Sequence, residues 1–311
     1  MPMMKQVWMV CLAVLLLGAC HRRQSAAPTA RSVYYWRTTL RLDSAERAFL
    51  RQHDVRRLYL RYFDVVPDDG GKPVPNATLA FSDTLPGGVE VVPVVFVLND
   101  CMRGNVDSLP DLILRRVLQM CETHDVKGVR ELQIDCDWTM QTQRRYFELL
   151  DRLRKLCHDR DMRLSTTIRL HQLSLDVPPA DRGVLMMYNT GDVTRLDVQK
   201  PILDICDVRP YLHSLPGYRL PLATAYPLFA WQVLFRGGRF VGIMHGDDDL
   251  PVLGGDSIVT RSPSVGDIMA VRQAVDERRP EAHGEVILYD LSNENIHRFN
   301  TDEYEKIYQG E

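Results

Sequence analysis

Residues 131–138, Glu-Leu-Gln-Ile-Asp-Cys-Asp-Trp, alternate polar and apolar side chains without a break. A period of two becomes two faces only in an extended strand. Glu131, Gln133, Asp135 and Asp137 are therefore expected on one side, and Leu132, Ile134, Cys136 and Trp138 on the other. The pattern places two carboxylates at a strand end. Around it the chain repeatedly delivers a short apolar strand and then a helix, the rhythm of a closed barrel of parallel strands whose site lies at the strand C-termini.

The other elements fit that rhythm. Strands are expected at Val33–Trp36, Leu58–Asp64, Val89–Leu98, Arg163–His171, Gly183–Asn189, Leu220–Tyr226 and Glu285–Leu291. The third is apolar on both faces, as a strand covered on both sides should be. Helices are expected at Ser44–His53, Pro110–His124, Gln141–His158, Leu203–Ser214, Ser264–Arg279 and Asp302–Tyr308, from apolar residues at helical spacing. The Pro/Gly-rich segment Pro67–Pro75 reads as a long loop over one mouth. Residues 228–252 hold a helix-like piece, the strand-like Phe240–His245 and the acidic Asp247-Asp248-Asp249, and read as an insertion after strand seven. The fold expected is a (β/α)8 TIM barrel, which at ~250 residues uses nearly all of the chain outside its leader.

The leader is distinct. Lys5 precedes the apolar run Val7–Leu17, too short to span a bilayer, and the run closes in Leu17-Gly18-Ala19-Cys20. That tetrapeptide resembles a lipobox, which implies cleavage before Cys20 and lipidation of its thiol. Residues 1–19 are thus expected to be a lipoprotein signal peptide, 20–31 a polar tether, and 32–311 the barrel. Attachment to a membrane would be by lipid, in the cell envelope and facing the periplasm. The 38 basic side chains stand against 41 acidic ones, a balance that offers nothing to nucleic acid. Five cysteines follow Cys20 at wide spacing (Cys101, Cys121, Cys136, Cys157, Cys206) and read as buried thiols, with one disulfide left open.

Asp135-Cys136-Asp137-Trp138 resembles the fourth-strand signature of the family-18 glycoside hydrolases, chitinase-like barrels in which Asp-x-Asp-x-Glu carries catalysis. Met186-Met187-Tyr188-Asn189 is similar to that superfamily's Met-x-Tyr-Asp on strand six, whose tyrosine and acid touch the substrate's N-acetyl group. Across the chain the sequence looks closest to bacterial lipoproteins of unknown function, barrels akin to glycoside hydrolases. The resemblance implies a carbohydrate-related role. It departs at two positions: Thr139 stands where the family's general-acid glutamate belongs, and threonine cannot protonate a leaving oxygen. Asn189 replaces the aspartate of the second motif.

The candidate catalytic acids are Asp137, Asp135 and Asp290, with Asp64, Asp100 and Asp192 also expected at the mouth. The candidate substrate-binding residues are Arg37, Arg169, His171, Tyr188, Asn189, Tyr226 and Tyr289. A carboxyl pair such as Asp137 with Asp290 or Asp64 could serve as acid and base. Equally, Asp135 and Asp137 beside an inward Arg169 and His171 fit a satisfied polar layer of the barrel, and Met186, Tyr188 and Trp138 fit core packing. No cofactor is expected. His171 has no second His or Cys at ligand spacing, so no metal is expected either, and Asp247–Asp249 reads as a solvated turn. The basic helix face of Arg144, Arg145, Arg152, Arg154 and Lys155 reads as solvated. Two functions stay open: a glycoside-hydrolase-like enzyme with a different set of acids, and a catalytically inactive glycan-binding or structural envelope lipoprotein.

Overall fold

The computed structural model describes residues 29–244 and 250–310. The leader, Cys20, nearly all of the tether and Asp247–Asp249 lie outside the described residues. Eight strands form the barrel: β1 Ala30–Tyr35, β2 Arg57–Pro67, β3 Glu90–Val97, β4 Glu131–Asp135, β5 Arg163–Arg169, β6 Arg182–Met186, β7 Leu222–Pro227 and β8 Glu285–Tyr289. Each pairs in parallel with its neighbours, and β1 pairs with both β8 and β2, which closes the cylinder. The barrel begins at Ala30, two residues before the expected boundary, because the amide of Ala30 donates to the carbonyl of Gly284 at 2.9 Å.

Helices α1 Ser44–Gln52, α2 Leu109–Thr123, α3 Gln143–His158, α4 Ile205–Val208, α5 Val265–Asp276, α6 Asn293–Ile296 and α7 Thr301–Gln309 lie among the connections. Three of them start at reciprocal caps, in which Asp43, Ser264 and Asn300 accept from the amides of Glu46, Asp267 and Glu303. The alternation of each strand divides the apolar side chains into two bodies. A large outer body fills the space between strands and helices. A small inner one, including Tyr34, Tyr59, Val94, Met186, Ala225 and Ile287, fills the lumen.

Three expectations are corrected. Residues 231–261 form a separate three-stranded antiparallel sheet of Trp231–Arg236, Arg239–Met244 and Asp256–Arg261, with no helix among the described residues. Apolar β-branched and aromatic residues flank the Gly237-Gly238 turn there, and hairpin pairing wins over helical spacing. Pro67–Pro75 does not cover the mouth. Pro73–Asn76 pairs antiparallel with the end of β2, and the hairpin packs on α2. The helix expected at Leu203–Ser214 is a single short turn, α4, followed by hydrogen-bonded turns as far as Tyr218.

The lower lumen is ionic rather than apolar. Arg182 of β6 donates to Glu285 of β8 at 2.5 Å and to the Tyr59 hydroxyl at 2.6 Å, and its Nε faces Glu131 of β4 at 3.5 Å. Arg57 of β2 reaches Glu285 at 3.1 Å, and Ser32 of β1 donates to the same carboxylate at 2.5 Å. Burial raises the Glu285 pKa, but Arg182 and Arg57 outweigh it and the net direction is down. Removing one member leaves its partners charged and buried. Glu285→Gln is expected to lower stability by about 3–5 kcal/mol in urea unfolding. Glu148→Gln, which breaks an exposed pair with Arg144 on α3, is expected to change it by under about 0.5 kcal/mol.

Candidate functional site

At the opposite, C-terminal end of the strands the lumen polarity continues upward through the Tyr34 hydroxyl, which donates to Gln133 at 2.7 Å. Above this, Asp135 is buried and accepts from Thr167 of β5 at 2.6 Å and from Arg169 Nη2 at 3.1 Å. Strand β4 stops at Asp135, so Asp137 is not the next inward rung of the ladder. It stands on the irregular segment that follows, with its side chain 57% exposed, and its carboxylate takes the Nε of Arg169. One guanidinium thus holds both acids of the Asp-x-Asp pair. Burial raises the Asp135 pKa and Arg169 opposes it, with the net direction up.

Thr139 belongs to the turn that starts α3. Its carbonyl accepts from Gln143 at 2.8 Å, its amide donates to the Thr142 hydroxyl at 2.9 Å, and it lines neither of the hollows described below. Trp138 is fully buried on the helix side of the barrel against Tyr146 and Phe147, the packing role its parity implies.

Two hollows open at this mouth and share Tyr188 and Asn189. The first, of about 280 Å³, is lined by Asp137, Arg169, His171, Met186 and Tyr211 among others. The second, of about 390 Å³, is lined by Trp36, Arg37, Phe229, Trp231, Tyr289, Asp290, Glu294 and Asn295 among others. A larger hollow of about 460 Å³ lies outside the barrel between α2 and α3, away from the strand ends, and holds no such convergence of groups.

An aromatic wall joins the two mouth hollows. The Tyr289 ring lies 4.9 Å from Tyr188, 5.5 Å from Trp36 and 5.4 Å from Tyr34, and Phe229 meets Tyr188 edge-on at 5.7 Å. Asn189 directs the wall locally: its φ of 56° is left-handed, a conformation asparagine tolerates, and it turns the chain as β6 ends. Arg169 lies 5.7 Å from the Tyr188 ring centre.

The mouth therefore brings together Asp135, Asp137, Asp290, Arg37, Arg169, His171, Tyr188, Asn189 and Tyr289. The rest of the expected set lies elsewhere. Tyr226 faces outward from β7, fully buried, with its hydroxyl 2.7 Å from His283 Nε2, because the inward parity of that strand belongs to Ala223 and Ala225. His171 is not an inward strand residue: β5 ends at Arg169, and His171 lies exposed on the 3-10 turn Leu170–Ser174 at the rim. Asp64 is paired to Arg61 at 2.8 Å beside the hairpin, and Asp100 and Asp192 sit on exposed turns; none of the three lines the cleft. Four of the five later cysteines are buried and free and Cys206 is exposed and free. Among the described residues no group of three His, Cys, Asp or Glu could hold a metal ion, and no helix is long and apolar enough to cross a membrane.

Trp36 and the Phe229/Trp231 pair were missing from the expected site. Trp36 was open to detection, since it shares the parity of the inward Tyr34. Phe229 and Trp231 lead into the inserted sheet, where no periodicity marks them.

Asp290 stands apart chemically. It follows β8, is largely enclosed, and accepts from the Asn295 side chain at 2.7 Å. Burial pushes its carboxyl up to about 6.

These features define a (β/α)8 barrel with a polar and aromatic cleft at its C-terminal mouth. Solved structures that share this architecture include a spore cortex-lytic enzyme and chitinases. The spore cortex-lytic enzyme SleL of Bacillus cereus matches with a TM-score of 0.58 at 12% identity, over 92% of this chain and 75% of that one. A chitinase of Chromobacterium violaceum matches with a TM-score of 0.59 at 11% identity, over 91% and 98%. The GH18 chitinase ChiB of Flavobacterium johnsoniae matches with a TM-score of 0.56 at 12% identity, over 90% and 94%. At such identity the likeness is one of fold. No family model matches the chain, and no curated protein matches it by sequence.

Three outcomes follow from the site. Arg169→Met leaves Asp135 buried without its cation and is expected to cost about 3–5 kcal/mol at pH 7, with part of the loss recovered as acid protonates Asp135. Asp137→Asn is expected to cost less than about 1 kcal/mol, since that half of the pair is solvated; urea unfolding across pH reads both. Asp290 has the opposite sign from an ion-paired acid. Its folded pKa lies above the ordinary 3.8, so its ionisation opposes folding, fully above about pH 6 and not at all below about pH 4. Asp290→Asn is expected to raise stability at pH 8 by up to about 3 kcal/mol and to leave it unchanged at pH 3. A carboxyl resonance titrating near pH 4 in carbon-detected NMR would contradict this.

Proposed function

We propose that this protein is a lipid-anchored envelope barrel that binds carbohydrate in its mouth cleft and does not hydrolyse it by the family-18 route. The observation that carries the reading is the state of the Asp-x-Asp pair. Both carboxylates are tied to Arg169, and the position that must supply the proton is Thr139, folded into the start of α3. Substrate-assisted cleavage needs a carboxylic acid over the leaving oxygen, and this turn has none. What the mouth does retain is a binding surface: half-buried Trp36, Tyr188, Phe229, Trp231 and Tyr289 offer flat apolar rings for sugar faces, with Asn189, Asn295 and Arg37 as hydrogen-bonding groups beside them.

Support for the carbohydrate class comes from the fold neighbours, two of which carry chitinase in their names. Attachment through Cys20, facing the periplasm, is part of the same proposal and rests on the leader sequence.

A second reading is favoured by one feature. Asp290, held near a pKa of 6 at the cleft, has the proton affinity of a general acid. A hydrolase built on Asp290 would release reducing ends, and Asp290→Asn would abolish that release. On the binding reading, a panel of envelope and dietary oligosaccharides is expected to raise the melting temperature without releasing reducing ends, and Tyr289→Ala is expected to weaken binding about tenfold or more. Neither a shift nor a product across the panel would leave a structural envelope role.

A further inference from the structure

The charges facing the cleft are unevenly matched. Among the described residues two guanidinium groups line it, and both are already engaged. Arg169 holds Asp135 and Asp137, and Arg37 donates to the buried Glu46 at 2.6 Å while lying over Tyr35 at 4.5 Å. The next cation behind the wall, Arg61, lies 5.3 Å from the Trp36 ring centre and is committed to Asp64. No lysine lines either hollow.

The acids are in excess. Asp137 keeps most of its surface in the first hollow, and Asp290 lies in the second with only an amide as its hydrogen-bond donor. Glu294, on the exposed rim of the second hollow, forms no ion pair with any described residue. His171, which lines the same hollow as Asp137, is shifted toward its neutral form by the partial enclosure of its ring, against the pull of Asp137. One end of the cleft therefore presents Asp137, the other presents Asp290 and Glu294, and the aromatic wall runs between them.

An anionic sugar brought into this space would give up its hydration beside like charges, with only guanidinium groups already paired to carboxylates to receive it. A neutral sugar would leave the surplus carboxylates without compensation. A positively charged amine meets an acceptor at either end, through charge-assisted hydrogen bonds roughly twice as strong as neutral ones. The rings between add a face that attracts cations.

We propose that the cleft selects oligosaccharides whose amino sugars carry free, charged amines, over N-acetylated and uronic-acid glycans. This rests on the carbohydrate-binding reading of the same mouth and specifies its ligand class. Because the two hollows meet at Tyr188 and Asn189, one oligomer can place amines at both acidic ends.

The test is calorimetric titration of the protein with hexamers of glucosamine, of N-acetylglucosamine and of galacturonic acid. The glucosamine hexamer is expected to bind at least about tenfold more tightly than the acetylated one, the uronate not at all, and the preference should shrink as salt is raised. Asp137→Asn and Asp290→Asn are each expected to weaken glucosamine binding about tenfold and to shrink its preference over the acetylated hexamer. Unfolding midpoints measured alongside separate these losses from misfolding. Equal or tighter binding of the acetylated or acidic hexamer would overturn the charge selectivity and leave the glycan reading standing. Binding of none of the three would remove both.

Discussion

The Arg182–Glu285 contact is the constraint on which the barrel depends. A closed cylinder of eight strands has a lumen that must be filled, and here its lower layer is filled by opposite charges from different strands rather than by branched aliphatics. Arg182, Glu285, Glu131, Arg57 and Ser32 belong to five of the eight strands, and each faces an opposite charge or a hydrogen-bonding group on another. A slip of one residue in any of them would turn its charge toward the helices. The ionic layer therefore fixes register as well as filling space.

From that layer the interior changes character upward. Ion pairs give way to the Tyr34–Gln133 hydrogen bond and the packed Val94, Met186 and Ala225, then to Asp135 under Arg169, and finally to the aromatic wall at solvent. Each level is held by the one below: Arg169 stays extended over the lumen because Asp135 is fixed by Thr167, and Tyr188 lies beside Arg169. The floor of the cleft is thus set by rigid strand ends at Arg169, Met186 and Tyr289, and its rim by the connections that follow them.

All eight strands could be read from the sequence, because period-two alternation and doubly apolar runs are local signals and the lumen preserves them. The inward set of β4 and β5 was equally readable as far as Asp135 and Arg169. Reading failed where strands end. Asp137 and His171 continue the sequence pattern but not the backbone pattern, since the chain turns away at the rim. Tyr226 failed for another reason: a tyrosine at a strand end fits the mouth or the outer core, and only the neighbouring Ala223 and Ala225 show which parity faces in. The raised Asp290 pKa needed the enclosure made by distant residues, which no local pattern carries.

Strand β1 has a mechanical consequence. It lies between β8 and β2 with parallel pairing on both sides, and Arg31 on it is clamped by Glu305 of α7 at 2.8 Å. Tension applied at the N-terminal end of this strand acts along it, in shear across two ladders at once, rather than unzipping hydrogen bonds singly. The segment that joins the barrel to whatever precedes it is therefore anchored on both edges, and a pull from that side is spread over the first closing seam of the cylinder.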